Sequence, residues 1–223
     1  MRQSRLMIAG VLAGIVFAAG FVMTILVPGL GGTSKTKDFT DFYDSSGKRG
    51  AATVLGFILV VGCWLMIWLF TELRANLTRS TRADLAFHLS LVGAAAVMIG
   101  SAVDLGPTMV QNNQDNSGFV GVPIAHTFTQ AGAGVVIVGM FSFAAAVLLN
   151  GLEFRRSTAF PRWLGVVSIV VAILLIGSFF IAPGFLLPIW AIVVGVVGRN
   201  IGVEPDLARS GVGTSAPSPT ATP

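Results

Sequence analysis

Charged side chains are almost absent from most of this 223-residue chain. Asp, Glu, Lys and Arg make up 11% of its residues, whereas a soluble domain typically carries about 25%. The shortage is greatest in six apolar runs that contain no charged residue: Leu6–Val27, Ala51–Phe70, Leu85–Val103, Ala131–Leu149, Trp163–Ile181 and Phe185–Gly198. This pattern excludes an ordinary soluble domain.

Residues and motifs typical of disulfides, catalytic sites and cofactor or metal sites are also missing. The one cysteine, Cys63, excludes an intrachain disulfide. No lysine lies in an apolar run, which excludes a retinal-type Schiff base, and no run has a carboxylate near its middle for a proton relay. The chain also lacks a phosphate-binding glycine-rich loop with a lysine and a zinc-binding His-Glu-x-x-His motif. We therefore predict no catalytic residues, no metal and no cofactor.

The lengths of the runs predict helices that cross a membrane. About 20 residues at 1.5 Å per residue cross the roughly 30 Å of hydrocarbon, and four runs have about that length. Irregular backbone in lipid would leave polar groups unpaired at several kcal/mol each, and a barrel would show short alternating strands. The sequence predicts an all-α, polytopic transmembrane bundle of six spans over residues 1–202.

The last two runs form one stretch of 36 uncharged residues, Trp163–Gly198. A single helix of that length would measure about 54 Å, too long for one crossing. Ala182-Pro183-Gly184 in its middle is a strong helix breaker. We predict a tight helical hairpin with a short sixth span; the alternative is a re-entrant sixth segment, which would place the tail on the opposite side.

The distribution of Lys and Arg predicts the orientation. Alternate connecting segments hold ten of these residues on one side and four on the other, and the richer side is normally cytoplasmic. This places both termini in the cytoplasm of a cell-membrane protein, and it explains the net charge of +4 without a nucleic-acid partner. The first run is too long for a cleaved signal peptide. Residues 203–223, rich in Gly, Ser, Ala, Pro and Thr, predict a disordered cytoplasmic tail.

In the first connecting segment, Phe39, Phe42 and Tyr43 follow the capping residue Asp38 at helical spacing. This segment is either a short helix that lies on the outer membrane surface or a loop whose aromatic side chains pack on the bundle. The sequence leaves both alternatives open.

The candidate site residues are few. Asp104, His126 and the amide of Gln130 form a candidate polar cluster at the outer boundary of the membrane, because ionisable groups at membrane depth are often functional. Asp104 and His126 either meet between facing helices or lie separately at the solvated headgroup level. His88 is expected to bond a neighbouring carbonyl, and its distance from His126 along the membrane normal excludes a shared haem iron.

Small residues predict where helices pack closely. Gly10 and Gly14 are four residues apart in the first run, Gly93 and Gly100 share a face of the third, and Gly134 shares a face of the fourth with His126 and Gln130. Such glycines let two helix backbones approach, so we predict these five as helix-packing positions.

Three segments of the chain resemble those of a known group of membrane proteins. They are Asp38-Phe39-Thr40-Asp41-Phe42-Tyr43-Asp44, Trp68-Leu69-Phe70-Thr71-Glu72-Leu73-Arg74 and Phe160-Pro161-Arg162-Trp163-Leu164-Gly165. The chain resembles small six-span membrane proteins of uncharacterised function that are common in actinobacteria, and the resemblance implies no active site.

The sequence favours a non-enzymatic structural, sensory or partner-binding component of the membrane. Its partners would be the lipid bilayer and a second copy or another membrane protein. A small transporter or permease subunit is the first alternative, because Pro183 and Pro188 would suit a broken helix. A membrane enzyme that uses Asp104 and His126 is the second.

Overall fold

The computed structural model describes residues 2–28, 36–77, 80–113, 121–176 and 182–198, and every regular element in these ranges is helical. A single 3₁₀ turn over Ala182–Phe185 precedes the last helix. The helices are α1 (Arg2–Phe21), α2 (Met23–Leu26), α3 (Thr36–Tyr43), α4 (Ser46–Asn76), α5 (Thr81–Asn113), α6 (Val122–Arg156), α7 (Arg162–Ile176) and α8 (Leu186–Gly198). The all-α class is confirmed; the predicted tail lies outside the described residues.

Four helical segments are long and apolar enough to cross a membrane: Ser4–Leu26, Ser46–Asn76, Thr81–Asn112 and Val122–Arg156. With 35 residues, α6 measures about 52 Å at 1.5 Å per residue, more than the hydrocarbon thickness. The helices α7 and α8 have 15 and 13 residues. These lengths and compositions fit a membrane protein.

Polar residues just before two of the long helices fix where they begin. The Ser45 hydroxyl accepts a hydrogen bond from the Lys48 N–H at 3.4 Å, and the Ser80 hydroxyl accepts one from the Ala83 N–H at 3.1 Å. Each bond satisfies an N–H that has no partner inside its helix. The long helices α4 and α5 therefore begin before the first residue of the apolar run that each contains.

The larger helices pack in a closed ring that follows chain order: α1, α4, α5, α6, α7, α8 and back to α1. A Cβ atom added to Gly10 would lie 2.6 Å from the Gly195 Cα, and one added to Gly14 would lie 2.5 Å from the Pro188 carbonyl oxygen. Residue numbers thus fall along α8 as they rise along α1, so these two helices are antiparallel.

Aromatic side chains fill the middle of this ring. Phe143 of α6 lies with its ring centroid 6.2 Å from Phe17 of α1 and 6.2 Å from Phe70 of α4. Phe70 in turn lies 5.7 Å from Trp190 of α8, whose indole N–H donates to the Ser168 hydroxyl at 2.8 Å. All four rings are almost fully buried, so four helices of the ring share one packed core.

The outward surface of the ring is apolar. Large hydrophobic side chains such as Ile25, Phe57, Trp64 and Ile173 are each at least 60% exposed. A soluble monomer rarely exposes so much continuous apolar surface. A hydrocarbon environment is the setting in which this surface is favourable.

The two ends of the ring differ in the number of Arg and Lys side chains that they carry. One end, where α1, α5 and α7 begin and α4 and α6 finish, is here called the basic end, and it holds Arg5, Arg74, Arg82, Arg155, Arg156 and Arg162. The opposite end, where α3 lies, holds Lys37, Lys48 and Arg49 among the described residues.

The helix α3 packs on the bundle. Its side chains Phe39, Phe42 and Tyr43 are at most 2% exposed, and the helix contacts α4 and α6. It begins at Thr36, two residues before the predicted cap Asp38. The structure combines one part of each alternative: the segment is a helix, and its aromatic side chains pack against the bundle.

Candidate functional site

Asp104 lies inside the contact between α5 and α6, where it is 1% exposed. A Cβ atom added to Gly132 of α6 would lie 2.9 Å from both the Cβ and the backbone nitrogen of Asp104. The missing side chain at Gly132 therefore lets α6 close directly over Asp104. Asp104 is therefore enclosed between two helices, and its depth in the membrane stays a prediction.

Buried hydroxyl side chains lie near Asp104 along α5 and α6. Ser101, Asp104 and Thr108 occupy one face of α5, at i, i+3 and i+7, and Thr129 of α6 lies beside the Asp104 carboxylate. All four side chains are at most 2% exposed. We call these four residues the oxygen cluster.

Tyr43 of α3 extends the oxygen cluster towards the end opposite the basic end. Its hydroxyl lies beside Thr108, and burial raises the pKa of the Tyr43 phenol above its ordinary value, with smaller contributions from Thr108, which lowers it, and from Asp104, which raises it. The phenol therefore remains protonated at physiological pH.

Arg49 holds α3 in this position. Its Nε donates to the Asn112 side-chain oxygen at 2.8 Å, and its guanidinium also donates to the Tyr43 backbone carbonyl. The start of α4, the end of α3 and the end of α5 are thereby joined by one half-buried side chain. This link covers the oxygen cluster from the end opposite the basic end.

Pro107 adds an acceptor to the same region of α5. It lies inside the helix and has no N–H, so the carbonyl of Val103, four residues earlier, has no helical donor. The helix thus presents a backbone oxygen without its usual partner beside Asp104.

The predicted partners of Asp104 lie elsewhere. His126 and Gln130 are exposed on α6, and the His126 ring lies 5.7 Å from the ring of Phe39. The structure therefore brings Asp104 to Thr129 and Gly132. His126 and Gln130 lie on a different face of α6 from Gly132, about 120° and 160° around the helix.

Four of the five glycines predicted at helix contacts lie against another helix. Gly10 and Gly14 face α8; a Cβ atom added to Gly93 would lie 3.0 Å from the Gly139 carbonyl oxygen, and one added to Gly100 would lie 2.6 Å from the Gly132 carbonyl oxygen. Gly134 is exposed, with no atom of a neighbour within 4 Å of an added Cβ. Gly134 as a packing position is wrong, because it lies about 200° around α6 from Gly132.

Sequence reasoning missed the packing face of α6. That face carries Ala125, Thr129, Gly132, Val136 and Gly139, all of them buried. Their spacing of three or four residues is a helical stripe of mainly small side chains, and it was visible in the sequence. The stripe through His126, Gln130 and Gly134 has the same period, so periodicity alone does not show which of the two faces packs on α5.

Other polar residues have local partners. The His88 Nδ1 donates to the Asp84 carbonyl oxygen at 2.7 Å, as predicted for this histidine. Arg74 pairs with Asp84 at 2.7 Å near the basic end. Within the described ranges, no three His, Cys, Asp or Glu side chains come close enough together to hold a metal ion.

No protein-family model, no curated protein and no solved structure matches this chain. Function must therefore be argued from the helices and from the oxygen cluster.

Proposed function

We propose that the protein is a six-span, non-enzymatic component of the cell membrane that acts through contacts with lipid and with a second copy or another membrane protein. The observation that carries this proposal is the closed ring of helices around buried aromatic side chains. A core of this kind suits a rigid scaffold, because Phe17, Phe70, Phe143 and Trp190 offer packing and carry no group for proton transfer or nucleophilic attack.

The contact between α1 and α8 supports six crossings with both termini on the cytoplasmic side. Because α8 is antiparallel to α1, it ends near the basic end, where α1 begins. The 3₁₀ turn Ala182–Phe185 that precedes α8 lies near the end of α1, since an added Cβ at Gly184 would lie 2.7 Å from the Phe21 ring. A basic end on the cytoplasmic side follows the usual charge bias.

This topology predicts which positions react with a membrane-impermeant maleimide in intact cells. In a Cys63→Ala background, we expect labelling of Asp44→Cys and none of Thr158→Cys until the cells are opened. Labelling of Thr158→Cys from outside would reverse the orientation.

A small transporter is the second candidate, and one observation favours it: the oxygen cluster lies beside a proline that interrupts the backbone hydrogen bonds of α5. Broken helices that expose backbone oxygens are typical of ion sites in transporters. The exposed position of His126, away from the buried Asp104, gives no support to a membrane enzyme built on this pair.

Reconstitution separates the two candidates. We expect the protein purified in lipid nanodiscs to give a defined complex by native mass spectrometry, either with itself or with a co-purified membrane protein, and to drive no solute uptake in proteoliposomes. A monomer that accumulates a solute in proteoliposomes would favour the transporter instead.

A further inference from the structure

The arginines of the basic end differ in whether a carboxylate neutralises them. Arg74 pairs with Asp84 at 2.7 Å. Arg82, Arg155 and Arg156 have no carboxylate within ion-pair distance in the part of the chain that the structure describes. These three guanidinium groups therefore lie outside the ion pairs of the described residues, although all of them are at the same end of the ring.

The same three arginines line one cavity. With Leu152 they enclose a volume of about 300 Å³ between the start of α5 and the end of α6. This volume has room for a phosphate group and bridging waters, since one water takes roughly 30 Å³ in the liquid. Glu153, the acidic residue of this turn of α6, is 8% exposed and offsets one of the three charges. The cavity thus keeps a net positive charge.

The ordinary role of arginine at a helix end does not explain this grouping. Arg155 and Arg156 lie in the last turn of α6, where the helix dipole favours a cation without any ligand. Arg82 is half-buried in the first turn of α5, where the same dipole disfavours a cation and favours an anion. Three like charges around one cavity also repel each other. A bound anion would relieve this repulsion and would be attracted by the start of α5.

The surface next to the cavity favours a lipid over a soluble anion. Leu85, one turn from Arg82 on α5, is 49% exposed, and Leu152 of α6 lines the cavity itself. Leu89 and Leu148, one turn further along the two helices, are half-buried. Guanidinium groups bind phosphate oxygens through paired hydrogen bonds, and basic pockets between membrane helices bind phospholipid headgroups. A phospholipid would place its phosphate in the cavity and its acyl chains against the leucines.

We propose that this cavity binds the phosphate group of an anionic phospholipid through Arg82, Arg155 and Arg156, with the acyl chains against Leu85 and Leu152. The inference rests on the proposed membrane component, because it names the class of lipid that this component contacts. A phosphoglycerol headgroup, with a net negative charge, is preferred to phosphocholine, whose quaternary ammonium group the arginines repel. The bound lipid joins α5 to α6 at the basic end.

Lipid titration followed by native mass spectrometry tests the site. The full chain in a neutral detergent is titrated with phosphatidylglycerol and, separately, with phosphatidylcholine of the same acyl chains. The first phosphatidylglycerol is expected to bind about tenfold more tightly than the first phosphatidylcholine. Equal dissociation constants for the two lipids would overturn this inference alone. A chain that does not reconstitute into a bilayer would instead contradict the proposed membrane component.

Matched variants assign the preference to the cavity. Arg82→Gln and Arg156→Gln are each expected to weaken phosphatidylglycerol binding about fivefold and to leave phosphatidylcholine binding unchanged. Arg5→Gln removes the same charge from the same end, but α1 lies across the ring from α6, so this variant should bind both lipids as the parent does. An equal loss in Arg5→Gln would show general attraction to the basic end and would refute the cavity. Arg156 is exposed, so its variant is expected to fold, which circular dichroism checks.

Inorganic phosphate separates a lipid site from a site for a soluble anion. At constant ionic strength, replacing chloride by millimolar phosphate is expected to leave the bound phosphatidylglycerol in place, because free phosphate cannot replace the contacts of the acyl chains. Displacement of the lipid from the parent protein by phosphate at concentrations comparable to that of the lipid would show that the arginines hold a soluble anion. That result would overturn the proposal.

Discussion

Gly132→Ala is expected to lower the free energy of unfolding by about 3 kcal/mol, at the upper end of the cost of overpacking. An added Cβ would lie 2.6 Å from the Gly100 carbonyl oxygen and 2.9 Å from the Asp104 backbone nitrogen. These are backbone atoms of α5, which cannot rotate away as a flexible side chain would. The two helices would have to separate, and the contact over Asp104 would loosen.

Gly134→Ala on the same helix is the matched control. It adds the same methyl group where no neighbouring atom lies within 4 Å, and alanine favours a helix by about 1 kcal/mol over glycine. We expect this variant to be as stable as the parent or slightly more stable. Titration of the purified protein with a denaturing detergent, monitored by circular dichroism, measures the free energy of unfolding of both variants. Equal destabilisation of the two would contradict the packing of α6 described above.

Phe143→Ala is expected to cost about 4 kcal/mol of folding free energy, the usual range for removal of a buried aromatic ring. The Phe143 side chain is fully buried and touches both Phe17 and Phe70. Its loss leaves a cavity in the middle of the ring, where α1, α4 and α6 cannot all move inward together. The cost comes from lost packing contacts, which stabilise helices in a membrane as they do in water.

Phe57→Ala is the matched control for the loss of folding free energy expected of Phe143→Ala. Phe57 is 60% exposed on the outward surface of α4, so its ring contacts lipid and leaves no cavity when it is removed. We expect a change below about 1 kcal/mol, measured by the same detergent titration. A similar loss for both phenylalanines would mean that the middle of the ring is not the packed core.

The helices could be predicted from the sequence because uncharged runs of about 20 residues leave no other regular structure for a membrane. Their ends could not, since the outer turns contain ordinary polar residues. The run Ala131–Leu149 is the middle of α6, which begins at Val122 and ends at Arg156. Six crossings and the orientation stay predictions from charge and length.

The candidate site could be predicted only in part. A carboxylate near membrane depth is unusual and marks Asp104 from the sequence alone, whereas its neighbours on α6 depend on how the helices pack. In lipid, hydrophobicity does not distinguish the face of a helix that meets a neighbour from the face that meets hydrocarbon. Gly132 and Gly134 are equally apolar, so the sequence offered two faces of α6, and only packing distinguishes Thr129 from His126 as the neighbour of Asp104.

The chain-order arrangement of the ring has a consequence for biosynthesis. Each large helix emerging from the ribosome finds its packing partner already made, so long-range searches are few and assembly can keep pace with translation. The exception is the final seam, where α8 docks on α1. Until α8 has been synthesised, Gly10 and Gly14 on α1 have no neighbour from that helix. A nascent chain that stops before α8 would therefore expose this face of α1 to other membrane proteins.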